Sequence, residues 1–140
     1  MLDRALVDAL FPADLPEPAE LEQRYPPREL GEGALVTRFG PSPTGFVHVG
    51  GLYTAMVSRD LAHSSGGVYV LRIEDTDQSR EVDGADAQFA RAFGAFDLVP
   101  DEGDLEFTAL PEPRGDYGPY HQSERAAIYQ TYVRELMRAG

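Results

Sequence analysis

The sequence contains no cysteine and no lysine. Without cysteine, the chain can hold no disulfide, no thiol nucleophile and no zinc site built on thiolates. All 12 basic residues are arginine, so a Walker A phosphate loop and Schiff-base chemistry, which both use lysine, are excluded within this chain. The lack of cysteine is compatible with a cytoplasmic location, which we predict.

Long hydrophobic runs are also lacking, and we predict no membrane partner. The first residues, MLDRALVDALF, are partly acidic and have no basic leading region, so we do not predict a signal peptide. The net charge of −12 argues by itself against nucleic-acid binding, since phosphate contacts need clustered cations. The hydrophobic fraction of 42% is that of a globular chain.

The sequence changes character near residue 33, where an N-terminal segment gives way to the main domain. Periodicity predicts an amphipathic helix over 1–11, with an apolar face made of Leu2, Leu6, Val7 and Leu10. Residues 12–33 are rich in proline and predict an extended connection with a short helix near 20–24. We interpret 1–33 as an N-terminal extension, either laid on the main domain or mobile, and 34–140 as one α/β domain.

The order of elements after residue 33 predicts a βαβ unit with parallel strands. Strands are predicted at 34–40 and 68–75, the second covered on both faces. A helix begins near His48 and ends at a glycine cap within 63–67, and its predicted inner face is Leu52, Tyr53, Met56, Val57 and Leu61. Two strands are too few for a doubly wound sheet, so the sheet is predicted to be incomplete.

The second half of the chain is predicted to be mainly helical. A helix spans about 84–96, with an apolar stripe of Ala85, Phe89, Ala92, Phe93 and Phe96. A loop over 97–120 follows, in which 104–110 or Leu98–Val99 could supply another strand. Ser123 is predicted to cap a final helix whose inward residues are Ile128, Tyr132, Val133 and Leu136.

The stretch TRFGPSPTGFVHVGG, 37–51, lies where the first strand gives way to a helix. Ligands of open α/β sheets bind at such turns, and a helix N-terminus there favours an anion such as phosphate. Gly45, Gly50 and Gly51 permit close approach of a ligand to the backbone. His48 could stabilise charge on a phosphoryl group. A lone histidine that caps the helix or is satisfied by the backbone is the alternative.

The second strand ends in RIEDTD, which contains Glu74, Asp75 and Asp77. One acid could receive an ammonium group while others pair with Arg38 or Arg72. An Asp-x-Asp pair is also a common Mg²⁺ arrangement. A solvated acidic loop is the third interpretation, and the residues alone leave all three open.

Four motifs together resemble glutamyl-tRNA synthetase, a class I aminoacyl-tRNA synthetase. They are RFGPSPTGFVHVGG, LRIEDTDQSRE, DEG and GPYHQSER, in that order over 38–125, and the resemblance covers about 35–140. It implies an α/β fold, the N-terminal half of a Rossmann-like class I synthetase catalytic core. It also implies a glutamate–tRNA ligase that uses ATP to form glutamyl-adenylate and transfers glutamate to tRNA.

The resemblance also implies roles for single residues. HVGG, 48–51, corresponds to the HIGH signature, although Gly51 stands where the signature ends in histidine. Catalytic roles are implied for His48, Gly50 and Gly51, and ATP contacts for these three and for Pro43, Thr44 and Gly45. The residues implied to bind glutamate are Arg38, Ser42 and Glu74, and those near the tRNA acceptor end are Asp77 and Arg80. Gly40 stands where many relatives have alanine.

The implied ligands are L-glutamate, ATP with Mg²⁺ as its substrate complex, and tRNA(Glu), with tRNA(Gln) left open. No tightly bound, protein-ligated metal is expected, and the parent enzyme is expected to be a monomer. The lysine-rich KMSKS-type loop, the connective domain and the anticodon-binding domain are missing from this sequence. We therefore expect an N-terminal fragment that is inactive alone. Two alternatives remain: a glutamyl-queuosine tRNA(Asp) synthetase, and a non-catalytic remnant used as a binding module.

Overall fold

The computed structural model describes residues 3–77, 79, 84–103 and 114–140. The chain divides into two units, one made of Arg28–Ser123 and the other of Met1–Pro27 with Glu124–Gly140. None of the helices in the described residues has both the length and the apolar content that a bilayer crossing needs.

Arg28–Ser123 contains a parallel pair of strands, as the sequence predicts. Strand β1, Val36–Phe39, pairs with β2, Val68–Leu71, in a register that places Val36 opposite Val68 and Phe39 opposite Leu71. Helix α3, Val49–Ser64, connects them, and α4, Ala85–Ala95, follows. The described sheet thus has two strands, and the prediction of an incomplete parallel sheet with flanking helices is confirmed.

The two strands stay side by side beyond their carboxyl ends. The Arg72 amide donates to the Phe39 carbonyl at 3.1 Å, and the Glu74 amide donates to the Pro41 carbonyl at 2.8 Å. These bonds fix the backbone on both sides of Gly40. Arg38 and Glu74 therefore emerge at the same edge of the sheet, where α/β proteins place their ligands.

The other edge of β2 is lined by two extended segments from later in the chain. The Leu71 amide donates to the Glu102 carbonyl at 2.9 Å, and the Ile73 amide donates to the Tyr120 carbonyl at 2.8 Å. No strand forms at Leu98–Val99 itself, where Leu98 packs in the core, but just beyond it Glu102 makes an isolated parallel bridge to Val70 of β2. The predicted strand at 104–110 lies outside the described residues.

The core of this unit is one apolar cluster beside the sheet. Phe93 contacts two other rings in it: Phe39 in an edge-to-face arrangement with ring centroids 6.1 Å apart, and Phe89 in a tilted arrangement with centroids 5.8 Å apart. The predicted helix over 84–96 is confirmed, but Phe96 at its end is 60% exposed. Burial alternates along β2 between the buried Tyr69 and Leu71 and the half-buried Val68 and Val70, so the second face of the strand is covered in part.

Helix α3 packs on the sheet through alanines. Ala55 and Ala62 are fully buried, whereas Tyr53 of the predicted inner face is 63% exposed. Of the predicted inner face, Leu52 packs against the core, but the prediction is wrong for Tyr53, Met56, Val57 and Leu61, which are exposed. Small side chains at the contact let the helix backbone approach the strands closely. The predicted glycine end is confirmed: Gly66 has φ +71°, and the Gly67 amide donates to the Ala62 carbonyl at 2.8 Å.

The second unit joins both ends of the chain. It contains α1, Arg4–Asp8, α2, Pro18–Arg24, and α5, Ala126–Ala139, which follows a 3-10 turn at Ser123–Arg125. The short helix predicted near 20–24 is confirmed as α2. The predicted helix over 1–11 is shorter than expected, and of its described apolar residues only Val7 is buried.

The inward face of α5 also differs from the prediction. Its buried residues are Thr131 and Arg134, while Leu136 is 71% exposed. The Arg134 guanidinium donates from Nη2 to the Pro16 carbonyl at 3.2 Å and to Glu17 Oε1 at 3.0 Å. An apolar pattern could not show this, because the buried positions are polar and their partners lie at the other end of the chain.

Candidate active site

A cleft of about 330 Å³ opens at the turn between β1 and α3. Phe39 and Phe89 come from the core, and the remaining lining residues belong to the turn and to the start of α3: Pro41, Ser42, Thr44, Gly45, Phe46, Val47, His48 and Gly51. The Val47 amide donates to Gln88 Oε1 at 3.1 Å, which ties the turn to α4. Of the residues predicted to bind ATP, Thr44, Gly45, His48 and Gly51 line this cleft.

His48 occupies the N-cap position of α3 but does not cap the helix with its side chain. Its backbone is extended, its side chain is exposed, and its carbonyl accepts the Leu52 amide at 3.1 Å. The alternative of a capping histidine is therefore wrong. The imidazole lies beside Gly50, where an added Cβ would be 3.1 Å from His48 Cε1.

The first turn of α3 presents backbone donors next to this histidine. The amides of Val49, Gly50 and Gly51 precede the first intrahelical bond, so they have no partner within the helix. At a helix N-terminus such groups favour an anion. A Cβ at Gly51 would meet Phe39 at 3.8 Å, an ordinary contact, so crowding does not explain the glycine there.

The three acids of RIEDTD have different environments. Glu74 forms an ion pair with Arg38, with Nη1 and Oε1 2.6 Å apart, and Arg72 Nη2 lies 3.8 Å from the same oxygen. Asp77 is exposed and accepts a hydrogen bond from Ser79 Oγ at 2.6 Å. The interpretation of a carboxylate paired by arginine is thus confirmed for Glu74. Arg80, predicted to lie near the tRNA acceptor end, is outside the described residues.

Asp75 serves an internal purpose. It is 6% exposed. Its carboxylate accepts hydrogen bonds from the Ser123 amide at 2.8 Å and from the Ser123 hydroxyl at 2.6 Å, and His121 Nδ1 lies 3.1 Å from Oδ2. Burial raises the pKa of Asp75, but the hydrogen bonds from Ser123 and His121 outweigh it and leave the pKa below its usual range. Ser123 therefore holds Asp75 and does not cap the last helix, whose N-cap is Arg125; that prediction is wrong.

These environments also bear on metal binding. Among residues 3–77, 79, 84–103 and 114–140, no group of three or more histidine or acidic side chains is placed to hold a metal ion. Because Asp75 is buried and surrounded by donors, the Asp-x-Asp pair does not form a Mg²⁺ site in this arrangement.

A second charged cluster was not predicted from the sequence. Arg28 makes a bidentate pair with Glu102, in which the Nη2–Oε2 distance is 2.7 Å. Its guanidinium carbon lies 3.7 Å from the ring centroid of Tyr117, and the Tyr120 hydroxyl donates to Glu102 at 3.1 Å. The bond to Glu102 raises the pKa of Arg28, and burial together with the Glu102 charge raises that of Tyr120.

Two of the four motifs, DEG and GPYHQSER, supply Glu102 and Tyr120 for this cluster. Arg28 lies 74 residues before Glu102, in a stretch read as an extension, so no spacing in the sequence connects them. The cluster joins the segment before β1 to the segments beside β2. In the described structure its contacts hold these segments together, and we expect the cluster to position them.

Residues 34–140 match the family model for the catalytic domain of class I tRNA synthetases (E and Q). The chain belongs to this family. Among curated relatives, the glutamate–tRNA ligase of Clostridium perfringens is 44% identical over 135 residues, which are 96% of this chain and 24% of that protein. The glutamate–tRNA ligase of Acetivibrio thermocellus is 46% identical over 138 residues, 98% of this chain and 24% of that protein.

Solved structures of this synthetase family give the same result. A glutamate tRNA ligase from Elizabethkingia meningosepticum, crystallised in complex with its amino acid, superposes with a TM-score of 0.65 and 40% identity. The match covers 76% of this chain and 20% of that one. The chain thus spans about a quarter or less of the length of these relatives and corresponds to part of the catalytic domain.

Proposed function

We propose that this chain builds the glutamate- and adenylate-binding part of a glutamate–tRNA ligase. The observation that carries the proposal is the ion pair of Arg38 and Glu74 at the strand ends. It lies next to the cleft that His48 helps to line. The chain is 44% identical to a glutamate–tRNA ligase over 96% of its length, which supports the same assignment.

The amino-acid end of the site needs one cation and one anion, because glutamate carries a side-chain carboxylate and an α-ammonium group. In the proposal Arg38 binds the carboxylate, since a guanidinium matches the two oxygens of a carboxylate. Glu74 binds the ammonium group. Ser42, which is exposed on the turn and lines the cleft, adds a hydroxyl donor.

The ATP end of the site is the turn and the first turn of α3. We assign ATP contacts to Pro43, Thr44, Gly45, His48, Gly50 and Gly51. Glycines 50 and 51 let the phosphates approach the backbone amides of the helix, and the imidazole of His48 donates to a phosphoryl oxygen. ATP enters as its Mg²⁺ complex, so the metal arrives with the substrate.

The proposed reaction has two steps. The α-carboxylate oxygen of glutamate attacks the α-phosphorus of ATP, a P–O bond to the leaving pyrophosphate breaks, and glutamyl-adenylate forms. A ribose hydroxyl at the end of tRNA then attacks the acyl carbon and releases AMP. His48, Gly50 and Gly51 stabilise the charge that develops in the first step, which one well-placed donor can accelerate by about 100- to 1,000-fold.

The tRNA is proposed to be tRNA(Glu), with tRNA(Gln) as the open second substrate, and Asp77 and Arg80 are proposed to lie near its acceptor end. The enzyme would act in the cytoplasm as a monomer. Because the chain has no lysine for a KMSKS-type loop, we expect it to bind substrates without charging tRNA. Glutamate attached to tRNA by the purified 140-residue chain would contradict that expectation. Attachment to a queuosine nucleoside would favour the alternative enzyme.

The two ends of the site can be tested separately by titrating the purified chain with glutamate and with Mg²⁺-ATP. We expect Glu74→Gln to weaken glutamate binding by about tenfold or more, because a charge-assisted bond is lost, and to leave ATP binding unchanged. His48→Ala should weaken ATP binding and spare glutamate. Glu32→Gln, on an exposed loop, is the matched control. The proposal is contradicted if both variants are folded and bind glutamate and ATP as tightly as the unsubstituted chain does.

A further inference from the structure

The two groups that the proposed function assigns to opposite charges of glutamate are paired with each other. Arg38 Nη1 and Glu74 Oε1 are 2.6 Å apart, and the side chains are 42% and 35% exposed. Glutamate presents a carboxylate, which can replace Glu74 as the partner of Arg38. It also presents an ammonium group, which can replace Arg38 as the partner of Glu74. The ion pair and the amino acid therefore compete for one set of partners.

The ion pair lies directly over the α-carbon of Gly40. A Cβ added at this position would collide with Arg38 Nη1 and would stand 2.6 Å from Glu74 Oε1 and 3.0 Å from Glu74 Cδ. Hydrogen bonds hold the backbone on either side, since the Phe39 carbonyl accepts the Arg72 amide and the Pro41 carbonyl accepts the Glu74 amide. The atoms that would have to move are the ends of two flexible side chains.

We propose that Gly40 is a positioning residue of the amino-acid site: its missing side chain lets Arg38 and Glu74 close on each other, and glutamate must open this pair to bind. The inference rests on the proposed function, since it takes these two residues as the glutamate ligands. It goes further in giving Gly40 a role and in identifying the paired Arg38 and Glu74 as a closed state of the site. Binding then depends on the fraction of molecules in which the pair is open.

A methyl group at residue 40 should favour the open state of the Arg38–Glu74 pair over the closed one. Gly40→Ala keeps both charged side chains and forces them out of the present pair. Exposed ion pairs contribute modest free energy, so removing the competition should tighten glutamate binding by about two- to fivefold. Gly31→Ala is the matched control, because an added Cβ at Gly31 meets nothing within 4 Å.

The experiment has two readouts on the purified chain. The first is the NMR signal of the Arg38 guanidinium, whose rotation about the Nε–Cζ bond is slowed by the ion pair. The second is titration with L-glutamate. We expect slowed rotation in the wild type and in Gly31→Ala, free rotation in Gly40→Ala, and tighter glutamate binding in Gly40→Ala alone.

Each outcome has a separate meaning. A freely rotating Arg38 in the wild type, or an unchanged pair in Gly40→Ala, would overturn the inference whatever glutamate does. Equal or weaker glutamate binding in Gly40→Ala would overturn the competition between pair and substrate while leaving the proposed function standing. If no form of the folded chain binds glutamate, the proposed function of the site fails, and the guanidinium signals still decide whether Gly40 permits the pair.

Discussion

At the scale of single residues, Asp75 shows how position changes the chemistry of a carboxylate. It lies beside Glu74 in the chain, yet it is buried and receives hydrogen bonds from Ser123 and His121. These bonds join the RIEDTD motif to GPYHQSER. Glu74 lies at the strand ends, where it pairs with Arg38. The motif thus holds one acid that stabilises the structure and one acid of the proposed glutamate site.

Asp75→Asn is expected to destabilise the chain by about 1–3 kcal/mol at pH 7, because an amide cannot accept all the bonds that Ser123 and His121 offer. The pKa of Asp75 is lowered in the folded state, so its contribution is fully present above its unfolded value and is lost as the pH falls below about 4. Urea unfolding at several pH values measures this. The wild-type and variant stabilities should converge in acid, whereas Asp116→Asn, at an exposed position, should track the wild type throughout.

Arg28 offers a second test at this scale. Arg28→Met removes the pair with Glu102 and leaves that carboxylate, 9% exposed, without its cation. We expect a loss of about 2–3 kcal/mol in the free energy of unfolding, below the cost for a fully buried pair. Arg28→Lys keeps the charge but not the bidentate geometry and should fall between. Equal stability of all three proteins in urea would show that the cluster does not position the loops.

Parts of the site could be predicted from the sequence and parts could not, for a physical reason. Arg38 lies at the end of β1 and Glu74 follows β2. The carboxyl ends of parallel strands meet at one edge of the sheet, so the proximity of the two residues follows from the topology. The partners of Asp75 lie 46 and 48 residues further along. No periodicity links positions so far apart, so the sequence predicts a helix cap at Ser123 and not a partner of Asp75.

At the scale of elements, helix α3 positions the site through its alanine face. The sequence pattern places its large apolar residues inward, yet Ala55 and Ala62, seven residues apart, are the fully buried ones. The prediction treated size as the sign of burial. A helix that lies close to two strands needs small residues at the contact, and hydrophobic periodicity does not register them strongly.

A substitution at a buried alanine of α3 should therefore lower the stability more than the truncation of a large apolar residue on its exposed face. Ala55→Leu inserts three carbons into a filled space and should cost about 1–3 kcal/mol. Met56→Ala, at a side chain that is 38% exposed, should cost well under the 2–5 kcal/mol typical of a buried methionine. Thermal unfolding of the two variants beside the wild type decides this, and a larger loss for Met56→Ala would restore the face predicted from the sequence.

At the scale of the whole molecule, the chain order predicts the parallel strands but not the pairing of the two termini into one unit. The interpretation of residues 1–33 as an extension stays a prediction, and Met1–Pro27 forms one compact unit with Glu124–Gly140. The contacts involved, such as Arg134 with Glu17, span 117 residues and use polar side chains. A pattern of apolar residues carries no information about them.

The net charge of −12 also belongs to this scale. It argues against nucleic-acid binding by composition alone, yet the chain belongs to a family of tRNA synthetases. The chain spans about 24% of its curated relatives, so its charge describes only a part of such a protein. The charge of a segment is therefore a poor guide to the partners of an enzyme, and the local motifs are the better guide here.

The measurement that tests the central claim most directly is calorimetric titration of the purified chain with a non-hydrolysable glutamyl-adenylate analogue. The glutaminyl analogue is the control, because it keeps every group except the side-chain carboxylate that Arg38 is proposed to bind. The account predicts saturable binding that prefers the glutamyl form and weakens in both His48→Ala and Glu74→Ala. A chain that is folded by circular dichroism and binds neither analogue, or binds both equally, would contradict the claim that these residues build the glutamate and adenylate site.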